Sequence, residues 1–130
     1  LLGYSNRFIE SHFQAIVDFA ELNDFIDVPI KNFSSGMSAR LGFAIATVQK
    51  PDILIVDEVL AVGDFAFQQK CKERMEHLLS NGTTLLFVSH SIEQVKELCS
   101  NAIWIDNGEV RAIGDTYSVS QEYISSMVNN

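Results

Sequence analysis

The chain has 130 residues, 47% of them hydrophobic, with a formal net charge of −8 and two cysteines. That length suits one compact domain, and the apolar share excludes a disordered chain. The acidic balance lacks the Lys and Arg that neutralise phosphates, so no nucleic-acid partner is expected. No apolar run approaches the ~20 residues that span a bilayer, and no cleavable leader is visible. Leu1 opens the chain as though within a longer sequence, so a fragment is expected.

Residues 6–22 read as an amphipathic helix capped by Ser5, with Ile9, Phe13, Ile16, Val17 and Ala20 on one stripe. A loop through Pro29 leads to Phe33-Ser34-Ser35-Gly36. The next helix is predicted over Met37 to Gln49, with Met37, Leu41, Ala44, Ile45 and Val48 inward, and Lys50-Pro51 ends it. From residue 51 the pattern is strand, helix, strand, helix, then two further strands and a helix. Residues 52–57 are predicted as a buried strand, and Asp64 caps a helix over 66–80 that buries Phe67, Cys71, Met75 and Leu78. Asn81-Gly82 stops that helix. Residues 83–88 form the next strand, and Ser91 with Gln94 is a capping box for a short helix to Cys99. Strands 102–106 and 109–113 flank Asn107-Gly108, the strongest short hairpin signal. A last helix begins near Ser118 and turns Tyr123, Ile124 and Met127 inward. Cys71 and Cys99 have no metal-ligand spacing and are expected as reduced, buried thiols on helical faces.

This order predicts an α/β fold with a mainly parallel sheet. A helical subdomain over 1–50 precedes a second part over 51–130, which ends in a hairpin and helix.

Three stretches carry chemistry. The helix start at Ser34-Ser35-Gly36 offers free backbone N–H groups and the positive end of a macrodipole, which suits an anion such as phosphate. Taken alone, it reads first as an ordinary serine N-cap, the commoner meaning of Ser before a helix. The run Ile53-Leu54-Ile55-Val56 ends in Asp57-Glu58, two carboxylates at a strand tip, where open α/β sheets bind ligands. One acid can help hold magnesium and the other can orient or deprotonate a water. Ser89-His90 follows the next strand and could reach the same edge, where an imidazole can hydrogen-bond a phosphate. Taken alone, His90 is a surface residue in a loop.

In this order and spacing the motifs resemble the nucleotide-binding subunit of an ABC transporter, a P-loop NTPase, over essentially the whole chain. Phe33 to Arg40 is similar to the signature motif, Ile53 to Glu58 to Walker B with its catalytic glutamate, Ala61 to Asp64 to the D-loop, and His90 to the H-loop. The variants Ser-Ser-Gly-Met and Asp-Glu-Val-Leu-Ala-Val-Gly-Asp look like the branch that exports teichoic acids, O-antigens and capsular polymers. None of the seven glycines is followed by Lys, so a phosphate-cradling Gly-Lys-Ser/Thr loop is expected before Leu1 and the chain resembles a C-terminal portion.

The resemblance implies a homodimer closing on ATP and Mg²⁺, with membrane permease subunits as partners, at the cytoplasmic face of the bacterial plasma membrane. It implies catalytic roles for Glu58 and His90 and a magnesium role for Asp57 through water. Ser34, Ser35 and Gly36 would contact the ATP of the opposite subunit, and Asp64 the dimer seam. Two other readings stay open: an ABC ATPase outside transport, and a noncatalytic interaction module that keeps the fold.

Overall fold

The computed structural model describes residues 3–57 and 63–129. They group into two compact units, 1–86 and 87–130.

The first unit opens with α1, Asn6–Ala20. Ser5 Oγ accepts the Phe8 N–H at 3.1 Å, satisfying one of the donors left over at a helix start. The helix stops where Glu21 turns left-handed (φ 59°, ψ 40°). The Leu22 N–H then reaches the Val17 carbonyl at 3.1 Å, a Schellman closure. Two single turns, Asn23–Phe25 and Ile30–Asn32, carry the chain to α2, Ser35–Thr47. α2 starts two residues before the expected Met37, because Ser34 Oγ takes the Met37 N–H at 3.1 Å and so begins the helix itself. Asp64 Oδ1 accepts the Phe67 N–H at 2.8 Å and starts α3, Phe65–Ser80. Asn81 and Gly82, the latter at φ +94°, end it.

Strands β1 (Ile53–Asp57) and β2 (Thr84–Val88) are hydrogen-bonded neighbours. They begin side by side: the Thr84 N–H bonds the Asp52 carbonyl at 2.9 Å, and the Thr83 hydroxyl donates to the Pro51 carbonyl at 2.7 Å. Start beside start, they run in the same direction, and α3 supplies the crossover that a parallel pair needs.

The core of this unit joins Ile16, Val17, Phe19 and Ala20 of α1, Phe43 and Ala44 of α2, Leu54 and Val56 of β1, and Phe67, Cys71, Met75 and Leu78 of α3. The α3 face is the one that the 3.6-residue period predicts. Three expectations need correction. Ile9 and Phe13 continue the α1 stripe but are exposed, because α1 meets the core only through its last turns. On α2 it is Phe43, absent from the expected stripe, that is buried with Ala44 and Thr47, whereas Met37, Leu41, Ile45 and Val48 are half-buried. β1 is not buried on both faces: Leu54 and Val56 point inward, but Ile53 and Ile55 are 63% and 69% exposed. Strand side chains alternate, and among the described residues only one face of this two-stranded sheet is covered.

In the second unit, α4 (Ile92–Leu98) leads to β3 (Asn101–Asp106), which pairs antiparallel with β4 (Glu109–Asp115). Asn107 and Gly108 both have positive φ, 51° and 79°, which a tight two-residue hairpin turn of the favoured twist requires. Trp104 faces Ala112 but Ile105 faces Val110, so Arg111 is the extra residue of a bulge. α5 spans Thr116–Val128, longer than expected, because Asp115 rather than a later residue caps it. It packs on the hairpin, with Tyr123 edge-on to Trp104 at 5.6 Å. Met127 is exposed, contrary to expectation; Thr116, Val119 and Ser120 hold the buried side instead. Ser91 does cap α4, accepting the Gln94 N–H at 3.4 Å. The reciprocal half of the capping box is missing: the Ser91 N–H goes to Ser89 Oγ at 2.9 Å, and the Gln94 amide oxygen also faces Ser89. Cys99 is half-buried at the extended end of α4 rather than on its face.

Candidate active site

The signature-like turn is built by α2. Ser34 and Ser35 are exposed and Gly36 is half-buried. Ser34 contributes twice inward: its Oγ holds the Met37 N–H and its carbonyl holds the Ser38 N–H at 3.0 Å. Among the described residues, the N–H groups of Ser35 and Gly36 find no partner, as expected for the first turn of a helix. The ordinary serine cap and the anion-binding start are therefore one geometry here. The cap uses one donor and leaves two, at the positive end of the macrodipole, for water or an anion.

Asp57 is the last residue of β1, and its carboxylate is exposed. Glu58 and residues 59–62, with Ala61 of the D-loop match, lie outside the described residues. The description resumes at Gly63 (φ +85°) and Asp64. Asp64 spends one carboxylate oxygen on the cap of α3, while the Gly63 carbonyl accepts from the Gln68 amide at 3.2 Å. The Gly63 φ of +85° favours glycine, and a Cβ there would crowd the Phe67 side chain, 3.0 Å from Cδ1.

In the second unit, His90 is exposed, two residues beyond the end of β2. The Ser89 hydroxyl beside it anchors the loop by taking the Ser91 N–H. The thiols are unsuited to chemistry. Burial pushes the Cys71 thiol up to about 11, against the opposing pull of Lys70 and Arg74, and burial raises Cys99 as well. Neither is a thiolate near neutrality.

No group of three or more His, Cys, Asp or Glu among the described residues could hold a metal ion by itself. A lone exposed carboxylate such as Asp57 still fits magnesium, which keeps several waters and takes one or two carboxylates plus substrate phosphates. Among the described residues, no helix is long and apolar enough to cross a membrane.

Reading the sequence missed one group entirely. Glu21, Arg40, Lys70 and Arg74 meet around Phe19 and Phe67, where the ends of α1, α2 and α3 converge. Lys70 and Arg74 share a helix face at a spacing of four, a pattern that many solvated helices show.

The sequence pattern of the family described as ABC transporter matches residues 5–61. Over that segment the chain is similar to members of the ABC transporter family. It is 48% identical over 121 residues to the teichoic acids export ATP-binding protein TagH of Shouchella clausii, covering 93% of this chain and 34% of that protein. It is 43% identical over 127 residues to the O-antigen export system ATP-binding protein RfbB of Klebsiella pneumoniae, covering 98% of this chain and 52% of that one. The chain thus spans about a third to a half of the relatives it matches. The fold agrees with solved members of the family. An ATP-binding subunit of an ABC transporter superposes with a TM-score of 0.76 at 21% identity, over 93% of this chain and 50% of that one. A dimeric ATP-binding cassette in a post-hydrolysis state, bound to ADP and Pi, gives 0.69 at 21% identity, over 88% and 50%.

Proposed function

We propose that the chain is part of the ATP-hydrolysing subunit of a bacterial exporter of cell-surface polysaccharide. In this reading, residues 1–50 form the helical signature subdomain and 51–130 the C-terminal part of the ATPase core. The subunit works as a homodimer on the cytoplasmic face of the plasma membrane, against membrane permease subunits. The observation that carries the reading is the start of α2: an exposed helix N-terminus with a serine cap and two unspent N–H groups, suited to a phosphate arriving from outside the protomer. The identity to teichoic acid and O-antigen exporters supports the substrate class.

The roles are those that the resemblance implies, carried over residue by residue. Ser34, Ser35 and Gly36 bind the γ-phosphate of the opposite subunit's ATP. Glu58 orients or deprotonates the attacking water. His90 donates a hydrogen bond to the γ-phosphate. Asp64, fixed by its own cap to α3, lies at the dimer seam. Asp57 would help hold Mg²⁺, and the ion, when bound, would supply charge neutralisation across the phosphates. Phosphoryl transfer of this kind is positioning and electrostatics rather than covalent chemistry.

In the full-length protein, Glu58→Gln should lower turnover by roughly 10²–10⁴, the usual worth of a general base, while ATP-driven dimerisation persists. Near-normal hydrolysis by that variant would overturn the assignment. The 130-residue chain alone, without a Gly-Lys-Ser/Thr loop, should neither hydrolyse ATP nor bind it tightly, and isothermal calorimetry on that chain checks this.

A further inference from the structure

Two helix starts carry the proposed signature and D-loop residues, and both helices lead back to one carboxylate. Arg40 lies six residues after Ser34 on α2, and Lys70 lies six residues after Asp64 on α3. Glu21 meets both: its Oε2 is 3.6 Å from Arg40 and its Oε1 is 3.7 Å from Lys70. Lys70 also donates to the Phe19 carbonyl at 2.8 Å and to the Asp18 carbonyl at 3.3 Å, a cation at the negative end of the α1 dipole. Arg74, one turn further on, stacks over the Phe19 ring at 3.6 Å and donates to Thr47 Oγ1 of α2 at 3.2 Å.

Glu21 holds this place against its own backbone preference. It closes α1 in the left-handed region, where glycine is the usual residue and any other side chain is strained. The two ion pairs are half-exposed, and such pairs add little to stability. Capping alone would thus be better served by glycine, and the ion pairs alone would be weak. What Glu21 supplies and glycine cannot is a fixed link between α2 and α3.

We infer that Glu21 is a positioning residue: through Arg40 and Lys70 it holds the start of α2 at Ser34–Gly36 in register with the start of α3 at Gly63–Asp64. This rests on the proposed roles of those two turns. A phosphate bound at one start then fixes the other, and signature and D-loop respond as one body.

The test uses the full-length protein with spin labels on Ser38→Cys and Gln69→Cys, exposed positions on α2 and α3. Cys99→Ala removes the half-buried native thiol, and Cys71 is buried. Glu21→Gln and Glu21→Gly are compared with the native residue. Both should broaden the interlabel distance distribution, while Glu21→Gly, relieved of strain, melts no lower than Glu21→Gln. At saturating ATP both should lose about fivefold in kcat with KM unchanged, the signature of lost positioning rather than lost binding. Distributions as narrow as the native one in both variants would overturn the inference, whatever happens to activity. The distances need no nucleotide. A protein that hydrolyses no ATP therefore counts against the proposed function, and the label distances alone then decide the role of Glu21.

Discussion

The two units are stabilised in different ways. In the first, three helices and a strand gather aromatic and aliphatic side chains into one interior, with Phe67, Cys71 and Met75 fully buried. In the second, Val119 is the one buried apolar side chain among the described residues. Its order comes from local devices: the Asn107-Gly108 turn, the hairpin ladder, the Asp115 cap and the Thr116 hydroxyl on the Cys99 carbonyl at 2.8 Å. The outer hairpin face, Ile103, Ile105, Val110 and Ile113, stays exposed. Burial makes one unit depend on distant residues meeting, whereas hydrogen bonds of short range make the other depend on its own sequence neighbours. Of the candidate residues, Ser34 and Asp64 lie in the packed unit and His90 in the locally ordered one.

The comparison breaks most readily at Phe67. Phe67→Ala should cost about 3–5 kcal/mol, because it removes a ring packed against Phe19 and leaves a cavity. Urea unfolding monitored in the first unit would measure it, and a loss below ~1 kcal/mol would mean that the interior collapses around the hole. Next in size, Asp64→Ala removes the cap of α3 and should cost about 1 kcal/mol. Asp64→Asn, an equal cap, should restore most of that stability. If Asp64 also serves the dimer seam, the Asn variant should remain impaired in ATP turnover.

The smallest effect belongs to the second unit. Hydrogen bonds from Ser118, and secondarily from neighbouring backbone, hold the Asp115 carboxyl below its ordinary value. The charged form is thus favoured in the folded state. Its contribution is full above the unfolded value of about 3.9, and it is lost as pH falls through the depressed folded value. α5 should accordingly loosen in acid. Asp115→Asn should flatten that dependence while keeping α5 capped at neutral pH. Hydrogen exchange in α5 between neutral and acid pH reads both effects.

Much of this architecture was legible in advance, where the determinant lay within one element. Phe67, Cys71, Met75 and Leu78 fall on one face because helical geometry puts them there, and Ser5, Ser34, Asp64 and Ser91 cap because each stands three residues before a donor in need. Errors arose where a partner decides the outcome. The apolar run of β1 does not say how many faces will be covered, and Phe13 does not say where α1 leaves the core. The capping box at Gln94 failed because Ser89 competed for the same groups. The candidate site divides in the same way. Asp57, Ser34, Ser35, Gly36 and His90 were chosen from their type and their place at element ends. Nothing in the sequence joined Glu21 to Arg40 and Lys70, which are separated from it by 19 and 49 positions.

By itself, the sequence determined the order of elements, their caps and turns, and the helix start fit for an anion, because these depend on bonds that span a few residues. The tertiary structure alone decided which apolar faces are buried, and that one left-handed glutamate sits between two helices. Those outcomes depend on which distant side chains come within a few ångströms, and residue spacing along the chain does not encode that distance.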